Sequence, residues 1–335
     1  MNRPPECELQ IEFSRPDRVY RTDERVQGRV RVQVDRNVHC RGLNLTAAWT
    51  TRGRGNPTHR NYFQDTVFEG IWQAGQIYEY TFEFQPPPAP LSWTGRYLGI
   101  EHHLGVHANV PWSNQIRCTE PFVWSPGARV GAPRALPERD AHDLVVGRMQ
   151  AGLTVLCSGI CWLAGALLLV WQLWFGVLLL VAPLLVASLI YRQQLADWRL
   201  GRVRWETPAT ITPGETVNIP IFVDRPRRRG IRRARLCLSG VERVSGAGPE
   251  SEHKRYQHQV FSADYPMQSG ETAEGPAWLC RITVPDTDAW SLDLPDNQVI
   301  WQFTLVFQLT WWPDWHRYRP VWLVPGQTNR GEGTR

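Results

Sequence analysis

From Ala151 to Tyr191 the chain runs for 41 residues without a charged side chain, between Arg148 and Arg192. Any fold must either cover that apolar surface or place it in lipid. As one helix rising about 1.5 Å per residue, the run would far outreach a hydrocarbon core of about 30 Å, whereas two crossings of about 20 residues fit. The stretch "LLLVWQLWFGVLLLV", residues 167–181, is nearly a mirror about Gln172. It reads as two helix ends meeting at a turn, with Gln172 polar, Gly176 flexible, and the amphipathic rings of Trp171 and Trp174 at the membrane interface. Pro183 is tolerated as a kink in the second crossing. A transmembrane helical hairpin over 151–191 is therefore expected, its spans near 151–171 and 174–191. A re-entrant pair and a buried helical pair are the alternatives.

Charge around the run sets an expected orientation. Arg139 and Arg148 precede it, Arg192, Arg199, Arg202 and Arg204 follow it, and the turn carries no arginine. Positive residues stay inside, so both flanks are expected on the cytoplasmic side of a bacterial inner membrane. The opening "MNRPPECELQIEF" has no apolar core of signal-peptide length. Seven scattered cysteines, odd in number, suit a reducing compartment better than a disulfide framework. Nearly all of the positive charge is arginine, Lys254 being the sole lysine, and the formal net charge is +5. Arginine richness of that kind is first a matter of codon usage.

The flanks read as strands. Val26, Val30, Val32 and Val34 alternate with polar residues, as do Leu43, Leu45, Ala47 and Trp49, and Tyr78, Tyr80, Phe82 and Phe84. Beyond the run, Val217, Ile219, Ile221 and Val223 form one such face; Val299, Trp301, Phe303, Leu305, Phe307 and Leu309 form another. Period two marks half-buried strands, and clusters such as "RGRGNP" and "QPPPAP" separate them as turns. Strands without intervening helical patterns imply antiparallel sandwiches. The two flanks also repeat each other: "DERVQGRVRVQVDR" lies over "GETVNIPIFVDRPR", "CRGLNL" over "RARLCL", "QDTVF" over "QHQVF", "QAGQ" over "QSGE" and "TFEFQPP" over "CRITVPD". Five segments in one order indicate a duplicated sandwich.

Through "YRTDERVQGRVRVQV", "LNLTAAW" and "FEFQPPPAPLSWTGRYLGIEHHLGVHANV", the chain resembles the arrestin-like family. The match is good over 8–125 and weaker over 203–325. The resemblance implies two consecutive β-sandwiches that bind other proteins or lipid headgroups without catalysis. An apolar insert between sandwiches departs from familiar arrestins, so their receptor and coat contacts do not carry over.

Three constellations invite a site. In "IEHHLGVH", with Leu98, Ile100, Leu104 and Val106 inward, Glu101, His103 and His107 share the outer face. Those are zinc-ligand types, but His103 and His107 would stand about 13 Å apart along a strand. "RPRRRGIRRAR", residues 225–235, gathers Arg227, Arg228, Arg229, Arg232, Arg233 and Arg235, a set suited to an anionic surface. The aromatic interleaving that supports nucleic-acid stacking is missing from it, so no nucleic acid is expected. "WWPDWHRYRPVW" reads as edge or core packing, with a peptide groove as the functional alternative. No G-x-S-x-G, P-loop, G-x-G-x-x-G or H-E-x-x-H occurs.

The expected fold class is mainly β: two antiparallel immunoglobulin-like, arrestin-type sandwiches, 1–130 and 203–325, with the transmembrane hairpin of 151–191 inserted between linkers 131–150 and 192–202, and a disordered tail at 326–335. The expected function is a membrane-anchored cytoplasmic adaptor or scaffold with an unidentified protein partner and the lipid bilayer as contacts. No catalytic residue, cofactor or metal is expected. An oligomeric membrane effector or sensor is the alternative, an enzyme using Glu101 and its neighbouring histidines a third, and homo-oligomerisation stays open.

Overall fold

The computed structural model describes residues 7–111, 116–127, 200–223, 231–247, 253–272, 275–310 and 314–326. In the first half, β1 (Cys7–Phe13), β3 (Val26–Val34) and β6 (Ile77–Phe84) form a small sheet in the order β1-β3-β6. The larger sheet runs β2 (Val19–Arg21), β9 (Ile116–Ser125), β8 (Leu98–Ala108), β4 (Val38–Gly53), β5 (His59–Trp72), with β7 (Trp93–Thr94) on β8. Alternation explains both. Val26, Val30, Val32 and Val34 of β3 and Leu43, Leu45 and Ala47 of β4 are buried in one core, so the inward faces of the two sheets meet as a sandwich. Each such valine or leucine side chain removed from water contributes about 1.5–3 kcal/mol.

The second half repeats the plan. Its small sheet is β10 (Val203–Trp205), β12 (Thr216–Val223), β16 (Gly275–Thr283), β15 (Gln268–Thr272). Its larger sheet is β11 (Thr210–Ile211), β19 (Trp315–Leu323), β18 (Asn297–Leu309), β13 (Ile231–Ala247), β14 (His253–Pro266), with β17 (Leu292–Asp293) on β18. The order of each first-half sheet recurs here, β15 being the addition. All six apolar residues expected on one face of "VIWQFTLVFQLTW" are buried along β18. Trp301 fills the core and donates its indole N–H to the Ala289 carbonyl at 2.8 Å.

The ladders shift two of the matched segments. Leu43 pairs with Phe68 whereas Leu236 pairs with Tyr265, so Phe68 corresponds to Tyr265 and not to Phe261. Val26 faces Phe84 and Val217 faces Ile282, which moves "TFEFQPP" one residue against "CRITVPD". A one-residue slip reverses the faces of a strand, so burial settles the register: Phe82 and Phe84 point inward, as Cys280 and Ile282 do. The sheets are also not wholly antiparallel, since β2–β9 and β11–β19 pair in parallel.

The expected fold class needs correction. The described residues form a mainly β protein, and no helical hairpin is part of it. Among them no helix is long and apolar enough to cross a membrane. The hairpin expected at 151–191, with Trp171, Gln172 and Trp174, lies outside the described residues. The physical reason for the mismatch is the kind of inference: absence of charge reports transfer to an apolar phase and carries no backbone period. The flanking alternation does carry one, and it gives strands.

Candidate functional site

The two halves share a built seam. Trp93, Leu98 and Ile100 of the first half are buried in the core of the second, and Trp290, between β16 and β17, packs against both cores. Polar groups then fasten the contact. Along β13 the inward positions are Leu236, Leu238, Gly240, Glu242 and Val244, so alternation alone carries the Glu242 carboxylate inside, where it is 0% exposed. It is not left unpaired. Its Oε1 accepts the Tyr97 N–H at 2.6 Å and its Oε2 the Arg96 N–H at 3.1 Å, both from the turn joining β7 to β8. Two amides aimed at one carboxylate are charge-assisted bonds, the strong kind.

A second fastening sits beside the first. Asn297, 1% exposed, donates its side-chain N–H to the Asn56 carbonyl at 2.7 Å. Asn56 donates its backbone N–H to the Ser245 carbonyl at 2.9 Å and its side-chain N–H to the Asp296 carboxylate at 3.0 Å. The β4–β5 turn lies so close to the second half that side chains would not fit: a Cβ on Gly55 would strike the Asn297 side chain, and one on Gly246 the Arg54 carbonyl. "RGRGNP" is therefore a finger into the other half, more than a surface turn.

Over this buried layer lie half-buried rings with exposed arginines upon them. The Arg54 guanidinium carbon is 5.4 Å from the Tyr97 ring centre and 5.0 Å from that of Tyr256, and Arg96 lies 5.6 Å from Tyr97. Tyr97 also meets Tyr256 at 5.6 Å and His258 at 6.1 Å. Rings hold guanidinium planes through cation–π attraction and leave the N–H edges for other partners.

The residues singled out in the sequence fall elsewhere. Arg232 and Arg233 are exposed at the start of β13, and Arg235 pairs with Asp264 at 2.6 Å. They stand roughly 23–33 Å along the strand from Glu242. Arg227, Arg228 and Arg229 lie outside the described residues. Glu101, His103 and His107 do share the outer side of β8. Glu101 pairs with Arg52 at 2.5 Å, and His103 stacks on His59 at 5.7 Å. Burial and the neighbouring His59 push the His103 pKa down. Both His59 ring nitrogens are engaged, Nδ1 with the Thr50 hydroxyl at 3.0 Å and Nε2 with the Asn61 side-chain oxygen at 2.7 Å. Among the described residues no three His, Cys, Asp or Glu side chains are grouped to hold a metal ion. In "WWPDWHRYRPVW", Trp315 and Val321 reach the core from β19.

Two buried polar positions leave a signal in the sequence that alternation exposes. Glu242 is an acid at an inward place of an alternating strand. His102 occupies the inward place between Ile100 and Leu104, fully buried, its Nε2–H donating to the Pro90 carbonyl at 2.9 Å and its Nδ1 accepting from the Tyr62 hydroxyl at 3.2 Å. Burial pushes the His102 pKa down to about 4, and the same cause raises that of Tyr62.

No family model matches the chain. No curated protein sequence matches it. Among solved structures it is similar to Spo0M, a sporulation control protein from Bacillus subtilis, at 13% identity and a TM-score of 0.31, over 77% of this chain and 91% of that one. A likeness so distant carries no argument about this chain.

Proposed function

We propose that this chain is a non-enzymatic adaptor of arrestin-like kind, whose two fastened sandwiches present sheet edges to a protein partner. One observation carries the reading. Strands β5 and β14, 14 residues each, end their sheets with a partner strand on one side only among the described residues. Their outer backbone N–H and C=O groups are a template onto which an extended segment adds as a further strand. Bulges interrupt both ladders, at three points of β4–β5 and one of β13–β14, which blunts indiscriminate pairing and favours a segment that fits.

Two sequence features support accessory parts of the proposal. The arginines at 227–229, 232, 233 and 235 bias the second half toward anionic surfaces, lipid headgroups included. The uncharged run at 151–191 is the support for a membrane location, which fractionation after a carbonate wash tests. The decisive experiment crosslinks the full chain in cells, identifies its stoichiometric partner and maps hydrogen exchange with that partner bound. Slowed exchange in 59–72 or 253–266 is expected. Protection confined to other segments would remove the edge-strand reading.

A further inference from the structure

We infer that the seam carries a carboxylate-recognition site, and that the segment which docks along β14 is acidic. This rests on β14 being a docking edge and adds the chemistry of what it takes. Three cations from separate parts of the chain border the seam: Arg54 from the β4–β5 turn and Arg96 from the β7–β8 turn, both over Tyr97, and Lys254 at the start of β14, opposite Gly246. All three are exposed, and none forms an ion pair with a carboxylate among the described residues. Six other arginines of the first half, Arg15, Arg18, Arg21, Arg25, Arg29 and Arg52, each face an acid within ion-pair distance, while Arg31, Arg36, Arg41, Arg60 and Arg117 form no ion pair among the described residues.

The placement is built. Arg54 lies over Tyr97 and Tyr256, and Arg96 over Tyr97, so both guanidiniums are held in place while their N–H edges stay available. Lys254 belongs to β14 itself, two residues from Tyr256, and pairs with Gly246, whose Cα hydrogen faces the Arg54 carbonyl closely enough to exclude a Cβ. The acids nearby are committed: Glu242 is buried and accepts two amides, and Asp296 accepts from Asn56. Their charges lie beneath the cations and offset part of the field, and they give the outer N–H groups nothing to bind. Two stacked guanidiniums and an ammonium beside an open strand edge suit side-chain carboxylates arriving at alternate positions of an extended peptide. Because Arg54 and Arg96 belong to one half and Lys254 to the other, such a peptide would bind only while the seam is closed.

The test titrates the full-length protein with a labelled peptide of alternating Glu and Val, and with the same peptide carrying Gln for Glu, at fixed modest salt. Fluorescence anisotropy gives the affinity, and hydrogen exchange over 253–266 gives the docking place. The Glu peptide is expected to bind at least about tenfold tighter than the Gln peptide, and Arg54→Gln and Arg96→Gln are each expected to weaken it about tenfold. Near-ultraviolet circular dichroism checks that these surface variants keep the native packing. Equal affinity for the two peptides, or unchanged binding by the triple variant Arg54→Gln, Arg96→Gln, Lys254→Gln, would overturn the inference. So would cation-dependent binding of anionic-lipid vesicles with no binding of the Glu peptide. Failure of the edge reading looks different: the Glu peptide binds through the three cations, and 253–266 gains no protection.

Discussion

His102 gives the protein a stability that depends on pH in a calculable way. Its ring is fully buried between the Tyr62 hydroxyl and the Pro90 carbonyl, and its pKa falls from 6.5 to about 4. With the folded value depressed, the unfolded chain takes up the proton first. The contribution is therefore whole above the unfolded pKa and is lost as pH falls toward the folded one. Between about pH 8 and about pH 5, the unfolded state gains a factor of roughly 33 from protonation and the folded state roughly 1.1, so about 2 kcal/mol is lost. His102→Gln is the control, because an amide can donate to the Pro90 carbonyl and accept from Tyr62 without titrating. Denaturant midpoints of both proteins at the two pH values isolate the residue, since groups common to both cancel. The native protein is expected to lose about 2 kcal/mol more than the variant. Parallel pH profiles would show that His102 is not held neutral inside, and the reasoning would fail.

Other perturbations have equally definite outcomes, each read from a shift in denaturant midpoint. Glu242→Ala removes two charge-assisted bonds and strands the Arg96 and Tyr97 amides, a loss of about 3 kcal/mol; Glu242→Gln keeps one acceptor and costs about half of that. Gly55→Ala drives a methyl into the Asn297 side chain and costs about 1–3 kcal/mol, whereas at Gly75 nothing lies within reach of the methyl and the cost is that of its positive φ of 76° alone, about 1 kcal/mol. Arg235→Gln breaks an ion pair whose two side chains are 35% and 50% exposed, and its effect stays below about 1 kcal/mol.

Most strands could be located from the sequence because a two-residue period is a local property. Val26 to Val34 on β3 and Val299 to Leu309 on β18 each declare the buried face without reference to a partner. Register was less accessible. The resemblance of "QDTVF" to "QHQVF" holds in letters, yet the ladders place Phe68 opposite Leu43 and Tyr265 opposite Leu236. Bulges absorb the difference, and nothing local to those five residues announces a bulge.

The seam was the hardest part to foresee. Glu242 and Tyr97 are 145 residues apart, as are Asn56 and Asn297 by 241, and pairings at such separation leave no pattern in a window. What the sequence did hold was a pair of exceptions, an acid and a histidine at inward positions of otherwise apolar faces. Such exceptions are costly unless answered, so each implied a polar partner brought from elsewhere. The arginine-rich stretch drew attention by composition, and its one described ion pair, Arg235 with Asp264, is an ordinary cross-strand contact. The three cations that matter most at the seam are scattered, one to a segment.

The central claim is that Glu242 fastens the two sandwiches into a single body that carries both edges. Hydrogen exchange at the Arg96 and Tyr97 amides in the full-length protein tests it most directly. These two turn amides are expected to exchange as slowly as those of β3 in the core, and Glu242→Ala is expected to release them while Val30 stays protected. Fast exchange of both amides in the native protein, or rates that Glu242→Ala leaves unchanged, would contradict the claim.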